Sequence, residues 1–268
     1  MATRAPVSTA LAGERRFFLM LSLAMTLIIV AGFSMQLAMG RSSFHVPLLV
    51  HVHAFVFFGW TFFFLLQTTL AATGSVALHR RLGWIGAVWA ALLVVIGTVI
   101  TAVVVQQGRT PFFFTPLYFL MMNPLSVVVF AGLLAAAIRL RHRPEWHRRL
   151  MICAMAGIAG PGIGRLLPLP LLIPFAGWAV FATFMLFPIA GMIRDRRHTG
   201  SVHTAWIVGA AVLTVSQSVM SLAANTGLAR PIYRLVTAGK PGEHVDPMAY
   251  PPFPGSVAPP STPVAVRP

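Results

Sequence analysis

Charged residues are scarce in this chain. Asp, Glu, Lys and Arg make up 9% of its 268 residues, whereas soluble domains carry about 25% charged residues. Hydrophobic residues make up 57%. A chain of this composition cannot cover a soluble surface with polar groups, so the composition predicts an integral membrane protein in contact with the lipid bilayer.

Acidic residues are the scarcest charged class. Five Asp and Glu stand against 20 Lys and Arg, and the formal net charge is +15. The basic residues fall in short clusters between apolar runs and form no nucleic-acid-binding motif, so we expect no nucleic-acid partner. All five acidic residues flank the apolar runs or lie in the tail, which argues against a transporter that relays protons through intramembrane carboxylates.

Cysteine and lysine are each present only once. The single cysteine, Cys153, excludes an intramolecular disulfide and a cysteine-based metal cluster. The one lysine, Lys240, lies in the tail, so no Schiff base of the rhodopsin type can form inside the membrane. The chain also lacks the HExxH, GxSxG and P-loop motifs.

Long apolar runs dominate what is present. They predict an all-α polytopic bundle of about seven transmembrane helices over residues 16–228, after a cytoplasmic N-terminal segment, 1–15, and before a disordered Pro/Gly-rich tail, 229–268. Glycines and Pro161 interrupt the fifth run, so the fifth and sixth runs form either two spans or one re-entrant hairpin. No internal repeat is apparent. The seven runs lie near 17–39, 47–75, 83–105, 114–138, 149–168, 171–193 and 204–225.

Arginines alternate between the connections. The N-terminus and every second connection are rich in arginine, and the connections between them carry one arginine each. By the positive-inside rule this predicts a cytoplasmic N-terminus and a C-terminus on the other side of the membrane; we expect that membrane to be a bacterial inner membrane, which places the C-terminus in the periplasm. The arginine-rich positions are Arg4, Arg15, Arg16, Arg80, Arg81, Arg139, Arg141, Arg143, Arg148, Arg149, Arg194, Arg196 and Arg197.

The second run carries polar residues on one helix face. His53, Trp60 and Gln67 follow one another at intervals of seven residues, which places them on nearly the same face. We expect that face to point into the bundle, with His51 turned toward the outer headgroups. His53 is then either a ligand-binding residue or a hydrogen-bonding contact between helices.

Three further histidines lie at one predicted depth. His79 closes the second run, His147 opens the fifth and His203 opens the seventh, all on the cytoplasmic side. Two imidazoles from two helices at one depth are what axial haem ligation requires. We expect His79 and His147 to be the axial pair, with His203 as the substitute. The alternative is that these histidines simply flank the membrane beside arginines.

Arg165 lies near the outer end of the fifth run without an acidic residue nearby in the sequence. Its side chain either snorkels to the outer surface or meets an anionic ligand, such as a haem propionate or a lipid phosphate.

The motifs resemble those of a family of uncharacterised bacterial integral-membrane proteins, with a more distant likeness to membrane di-haem cytochromes b and ferric reductases. The likeness covers the second to fifth runs, and it implies haem b, electron transfer across the membrane and a possible quinone partner. It departs at the outer haem position, where a second histidine is missing. The matching residues are His51 or His53, Trp60, Gln67, His79, Arg80, Leu82, Gly83, Trp84, Trp146, His147, Arg149 and Met151.

Two functions are consistent with the sequence. The first is a haem b-binding protein that passes electrons and uses His53, His79, His147, His203, Arg165 and Gln67 to bind its cofactor. The second is a non-catalytic membrane protein, such as an assembly factor, a partner subunit or a small-molecule carrier, whose histidines are structural.

Overall fold

The computed structural model describes residues 6–253, and within that range the chain is helical and contains no strand. The predicted fold class, an all-α membrane bundle, is therefore confirmed. Helix α1 begins at Pro6, so the described part of the predicted N-terminal segment belongs to the first helix. The helices are α1 Pro6–Ala38, α2 Leu48–Ala72, α3 Val76–Gln106, α4 Pro116–Arg139, α5 Pro144–Ile158, α6 Gly160–Leu166, α7 Ala176–Thr199, α8 Thr204–Asn225 and α9 Arg230–Thr237.

Within residues 6–253, six helices are long and apolar enough to cross a membrane, and the fifth predicted span is a broken helix. Helices α5 and α6 meet at Ala159, two residues before Pro161, which has no backbone N–H to donate. Glu14 of α1 pairs with Arg148 at the start of α5. Helix α5 begins beside Glu14 and α6 packs against Gly32, near the other end of α1, so the two helices run beside α1 as one crossing and do not fold back as a re-entrant hairpin.

The contact between α1 and α6 depends on two glycines. A Cβ atom on Gly32 would overlap the carbonyl oxygen of Gly162, and one on Gly162 would lie 2.7 Å from the Cα atom of Ile29. Small residues at such positions let two helix backbones approach closely in a membrane. This approach brings the end of α6 against α1 and α2.

Replacing Gly32 with alanine should therefore destabilise the protein by about 1–3 kcal/mol, the usual cost of overpacking. The measurement is the yield and thermal midpoint of the detergent-purified variant. Gly132→Ala in α4 is the control, because a Cβ atom there meets nothing within 4 Å. If Gly32→Ala and Gly132→Ala had equal thermal midpoints, the α1–α6 contact would accommodate the added methyl group and the prediction would be wrong.

The bundle has two distinct ends. The end that carries Arg80, Arg81, Arg148 and Arg149 is here called the basic end; α1 begins there. The other end, called the opposite end, carries Arg165, the start of α2 and the C-terminal segment.

Helix α9 and the residues after it pack on the opposite end. The Gln106 side-chain amide donates to the Val236 carbonyl at 3.0 Å, and the Leu117 amide donates to the Pro247 carbonyl at 2.8 Å. Tyr233 is 2% exposed. The expectation of disorder is therefore wrong for 229–253, because the bundle supplies hydrogen-bond partners to this Pro/Gly-rich segment. The rest of the predicted disordered tail, 254–268, lies outside the described residues.

Candidate functional site

The inner face of α2 is the face that the seven-residue spacing predicts. Trp60 is 2% exposed and Gln67 is 7% exposed. His53 is half-buried, whereas His51 and Phe55 are exposed. The polar side chains of α2 therefore point into the bundle, as expected, while the aromatic face contacts lipid.

The structure brings His79 and His147 together. Their ring centroids lie 6.1 Å apart, and the ring planes make an angle of 81°. His79 does not close the second helix, as the sequence suggested, but lies in the first turns of α3. His147 occupies the corresponding position in α5. The pairing of these two residues at one depth of the basic end is the arrangement that the sequence predicted.

Backbone carbonyls fix the orientation of both imidazoles. Nδ1 of His79 lies 3.2 Å from the carbonyl oxygen of Gln67, and Nδ1 of His147 lies 2.9 Å from that of Ala137. A carbonyl oxygen only accepts, so each Nδ1 carries the proton and donates. In the neutral rings each Nε2 then keeps a free lone pair. Metal-binding histidines commonly have their other ring nitrogen fixed in this way.

The two histidines belong to repeated motifs. His79 and His147 each begin the sequence His-Arg-Arg-Leu and are the fourth residue of their helices. Seven residues before the two accepting carbonyls stand Trp60 and Phe130, whose rings pack edge to face at 5.2 Å. Two pairs of corresponding rings, His79 with His147 and Trp60 with Phe130, thus pack together between the hairpins α2–α3 and α4–α5. The histidine lies 12 residues after its accepting carbonyl in the first hairpin and 10 in the second, so the likeness is limited to a short motif and the expectation of no internal repeat stays a prediction.

His203 has a different role from the other two. It precedes α8, and its Nδ1 accepts from the Ala205 amide at 3.1 Å, which caps that helix. Its ring packs edge to face on Trp146 at 5.5 Å. Burial lowers the pKa of His203, the charge of Arg149 lowers it further, and Asp195 opposes this shift. His203 therefore lies near the pair but uses Nδ1 to hold a helix end.

A buried ion-pair cluster lies beside the histidines. Arg149 donates from Nε and Nη2 to the two carboxylate oxygens of Asp195 at 2.9 and 2.8 Å. Arg149 is 4% and Asp195 3% exposed. The cluster also includes Glu14, which pairs with Arg148 and Arg149. The sequence placed Asp195 outside the membrane spans and so missed this pairing.

Gln67 has a buried side chain with no partner. Neither Nε2 nor Oε1 of its amide has a hydrogen-bond partner among the described residues, although both atoms are buried. A buried amide left in this state costs about 1–3 kcal/mol. The backbone carbonyl of Gln67 accepts a hydrogen bond from His79. The unsatisfied side-chain amide of Gln67 therefore lies close to the pair of His79 and His147. It is the group here best suited to hydrogen-bond a bound molecule.

The six predicted site residues fall into two groups. His79, His147, Gln67 and His203 belong to the basic end, where the first two face each other. His53, in the second turn of α2, and Arg165, at the end of α6, lie at the opposite end of the bundle. The two groups therefore do not form one site. No three His, Cys, Asp or Glu side chains within residues 6–253 form a metal-binding group.

Comparison of the chain with protein-family models, with curated proteins and with solved structures finds no match. The likeness to membrane cytochromes therefore stays a prediction from the motifs of the second to fifth runs, and what is shown is a multi-pass helical membrane protein.

Proposed function

We propose that the protein binds haem b through His79 and His147 and passes electrons at the basic end of the bundle. The observation that carries this proposal is the facing pair of imidazoles, each with Nδ1 engaged by a backbone carbonyl. Gln67 and Ala137 supply those carbonyls from the preceding helices, so the ring orientations are set by the bundle itself.

The number of ligands favours haem over a bare metal ion. A structural or catalytic zinc site takes three or four protein ligands, and no group of three candidate side chains occurs within the described residues. A porphyrin supplies its own equatorial nitrogens, so two histidines suffice. His79 and His147, whose ring centroids lie 6.1 Å apart, would hold the haem iron through Nε2.

The charges at the basic end suit the carboxylates of such a cofactor. Arg80 and Arg81 follow His79 directly and are exposed. Arginine forms strong charge-assisted hydrogen bonds with carboxylates. When bound, haem supplies a reversible one-electron centre; the chain positions it, neutralises its propionates and shields it with the apolar bundle.

The second candidate function is a non-catalytic membrane protein with structural histidines. The carbonyl of Ala137 lies in the last turn of α4, where helical partners are lacking, and His147 satisfies it. This favours a helix-to-helix role for His147. That role does not account for the unpaired, buried Gln67 amide or for the close approach of the two imidazole rings.

A reduced-minus-oxidised spectrum of the detergent-purified protein, expressed with ample haem supply, separates the two functions. We expect a sharp Soret band with resolved α and β bands, as a bis-histidine low-spin site gives. A colourless, monodisperse and well-folded sample would leave only the structural role.

We also propose that the basic end lies in the cytoplasm of a bacterium and that the C-terminus lies in the periplasm. Helix α1 begins at the basic end, and α8 ends at the opposite end after seven crossings. A reporter that is active only in the periplasm should give signal when fused to the C-terminus. The same reporter inserted after His142, in the connection between α4 and α5, should be silent. Signal after His142 and none at the C-terminus would show that the protein has the opposite orientation in the membrane.

A further inference from the structure

Arg165 is a cation without a counter-ion at the opposite end of the bundle. Its guanidinium carbon lies 3.8 Å from the centroid of the Phe33 ring, and Nη1 donates to the Pro161 carbonyl at 2.7 Å. A guanidinium has five N–H donors. The ion pairs formed by the arginines of residues 6–253 involve Arg148 and Arg149, so Arg165 has no carboxylate partner in this range.

A second donor group, the imidazole of His53, lies at the same end of the bundle as Arg165. His53 of α2 is half-buried, its ring packs on Phe57 with centroids 4.4 Å apart, and its buried Nδ1 has no partner. Phe58, five residues further along α2, packs on Phe33, the ring that Arg165 covers, with centroids 4.9 Å apart. From α1, the Gln36 side-chain amide donates to the Arg165 carbonyl at 3.0 Å and holds the backbone in place. Helices α1, α2 and α6 thus place an uncompensated guanidinium and an unsatisfied imidazole at the same end of the bundle.

An anion from the bilayer would supply the counter-charge that Arg165 lacks and a hydrogen-bond acceptor for His53. An unpaired positive charge at membrane depth is costly, and a phosphate group matches the guanidinium fork with two parallel hydrogen bonds. The adjacent surface is apolar: Met35 is 37% and Leu166 is 39% exposed. A ligand with acyl chains would cover this surface while its headgroup meets Arg165. Basic pockets between transmembrane helices bind lipid headgroups in this manner.

We propose that Arg165 and His53 form a binding site for the phosphodiester of an anionic phospholipid. The site lies at the other end of the bundle from His79 and His147, so it does not depend on the haem proposal. The ligand is bound by the guanidinium and imidazole N–H groups, while Phe33 holds the guanidinium plane in place.

The test compares phosphatidylglycerol, phosphatidylcholine with the same acyl chains, and inorganic phosphate. We expect phosphatidylglycerol to raise the thermal midpoint of the purified full chain and to be retained in native mass spectrometry, whereas the other two have little effect. Arg165→Gln should weaken phosphatidylglycerol binding at least about tenfold, which corresponds to about 1.4 kcal/mol. Arg165→Lys should also bind weakly, because an ammonium group lacks the fork. Arg41→Gln is the matched control, because Arg41 is exposed at the same end.

Three outcomes would overturn the proposal. One is equal retention of phosphatidylglycerol and phosphatidylcholine by the unaltered chain, a result that needs no variant to fold. Another is stabilisation by inorganic phosphate that equals stabilisation by the lipid, which would assign the site to a free anion. The third is wild-type lipid affinity in Arg165→Lys, which keeps the charge and so is the variant better able to fold if Arg165→Gln does not.

Discussion

Replacing either His79 or His147 with alanine should abolish the haem spectrum or convert it to a high-spin form. Each residue would supply one axial nitrogen, and a single remaining imidazole leaves one coordination position open. Even the outer partners of metal-binding histidines are worth about 10–100-fold in affinity, so we expect bound haem to fall at least about tenfold. The measurement is the reduced-minus-oxidised spectrum together with haem bound per protein.

Two exposed histidines provide the controls for this experiment. His142 and His198 lie at the basic end and are exposed, so their alanine variants should keep the unaltered spectrum. A spectrum that survives in both His79→Ala and His147→Ala would contradict the haem assignment. These variants would then show only lower stability, because the Gln67 and Ala137 carbonyls lose their donors.

His203 separates ligation from helix capping. Its Nδ1 accepts from the Ala205 amide, and removal of an N-cap side chain typically costs about 0.5–2 kcal/mol. His203→Ala should therefore lower the thermal midpoint and leave the spectrum unchanged. Loss of the bands in this variant, with the protein still folded, would restore His203 as the substitute ligand.

The spans and the inward face of α2 were predictable because both depend on local sequence. Apolar runs of spanning length indicate helices that lie in lipid. The seven-residue spacing of Trp60 and Gln67 indicates that both residues lie on one face of a helix. The break between α5 and α6 was also visible in advance as an interruption around Pro161. These features need no knowledge of which helices are neighbours.

The ordered C-terminal segment and the buried carboxylate were not predictable for the same reason. Pro- and Gly-rich composition is typical of disorder, and it does not reveal that Tyr233 will donate to the Gly242 carbonyl and lie 2% exposed. Asp195 lies among arginines in the sequence and looks solvated. Its partner Arg149 stands 46 residues earlier, so only the packing of α5 against α7 makes the pair.

The Arg149–Asp195 pair should be the most sensitive point for stability. Removing one partner of a buried ion pair costs about 3–5 kcal/mol, and Glu14, 3.5 Å from Arg149, offsets only part of the charge left behind because it also pairs with Arg148. Asp195→Asn leaves the guanidinium of Arg149 facing a neutral amide in a site where Asp195 itself is 3% exposed. At about 2–4 °C for each kcal/mol, the thermal midpoint in detergent should fall by roughly 6–20 °C.

Glu145→Gln is the matched control for Asp195→Asn. It makes the same change of charge at the same end, and Arg149 contacts the carbonyl of Glu145 rather than its carboxylate. The double variant Arg149→Met/Asp195→Leu should recover much of the loss, because apolar side chains of similar volume often replace a buried ion pair without net cost. If Asp195→Asn were as stable as Glu145→Gln, the carboxylate of Asp195 would not compensate the Arg149 charge. If the double variant were no better than Asp195→Asn, the pair would hold α5 against α7 by its hydrogen bonds, not by cancelling charge.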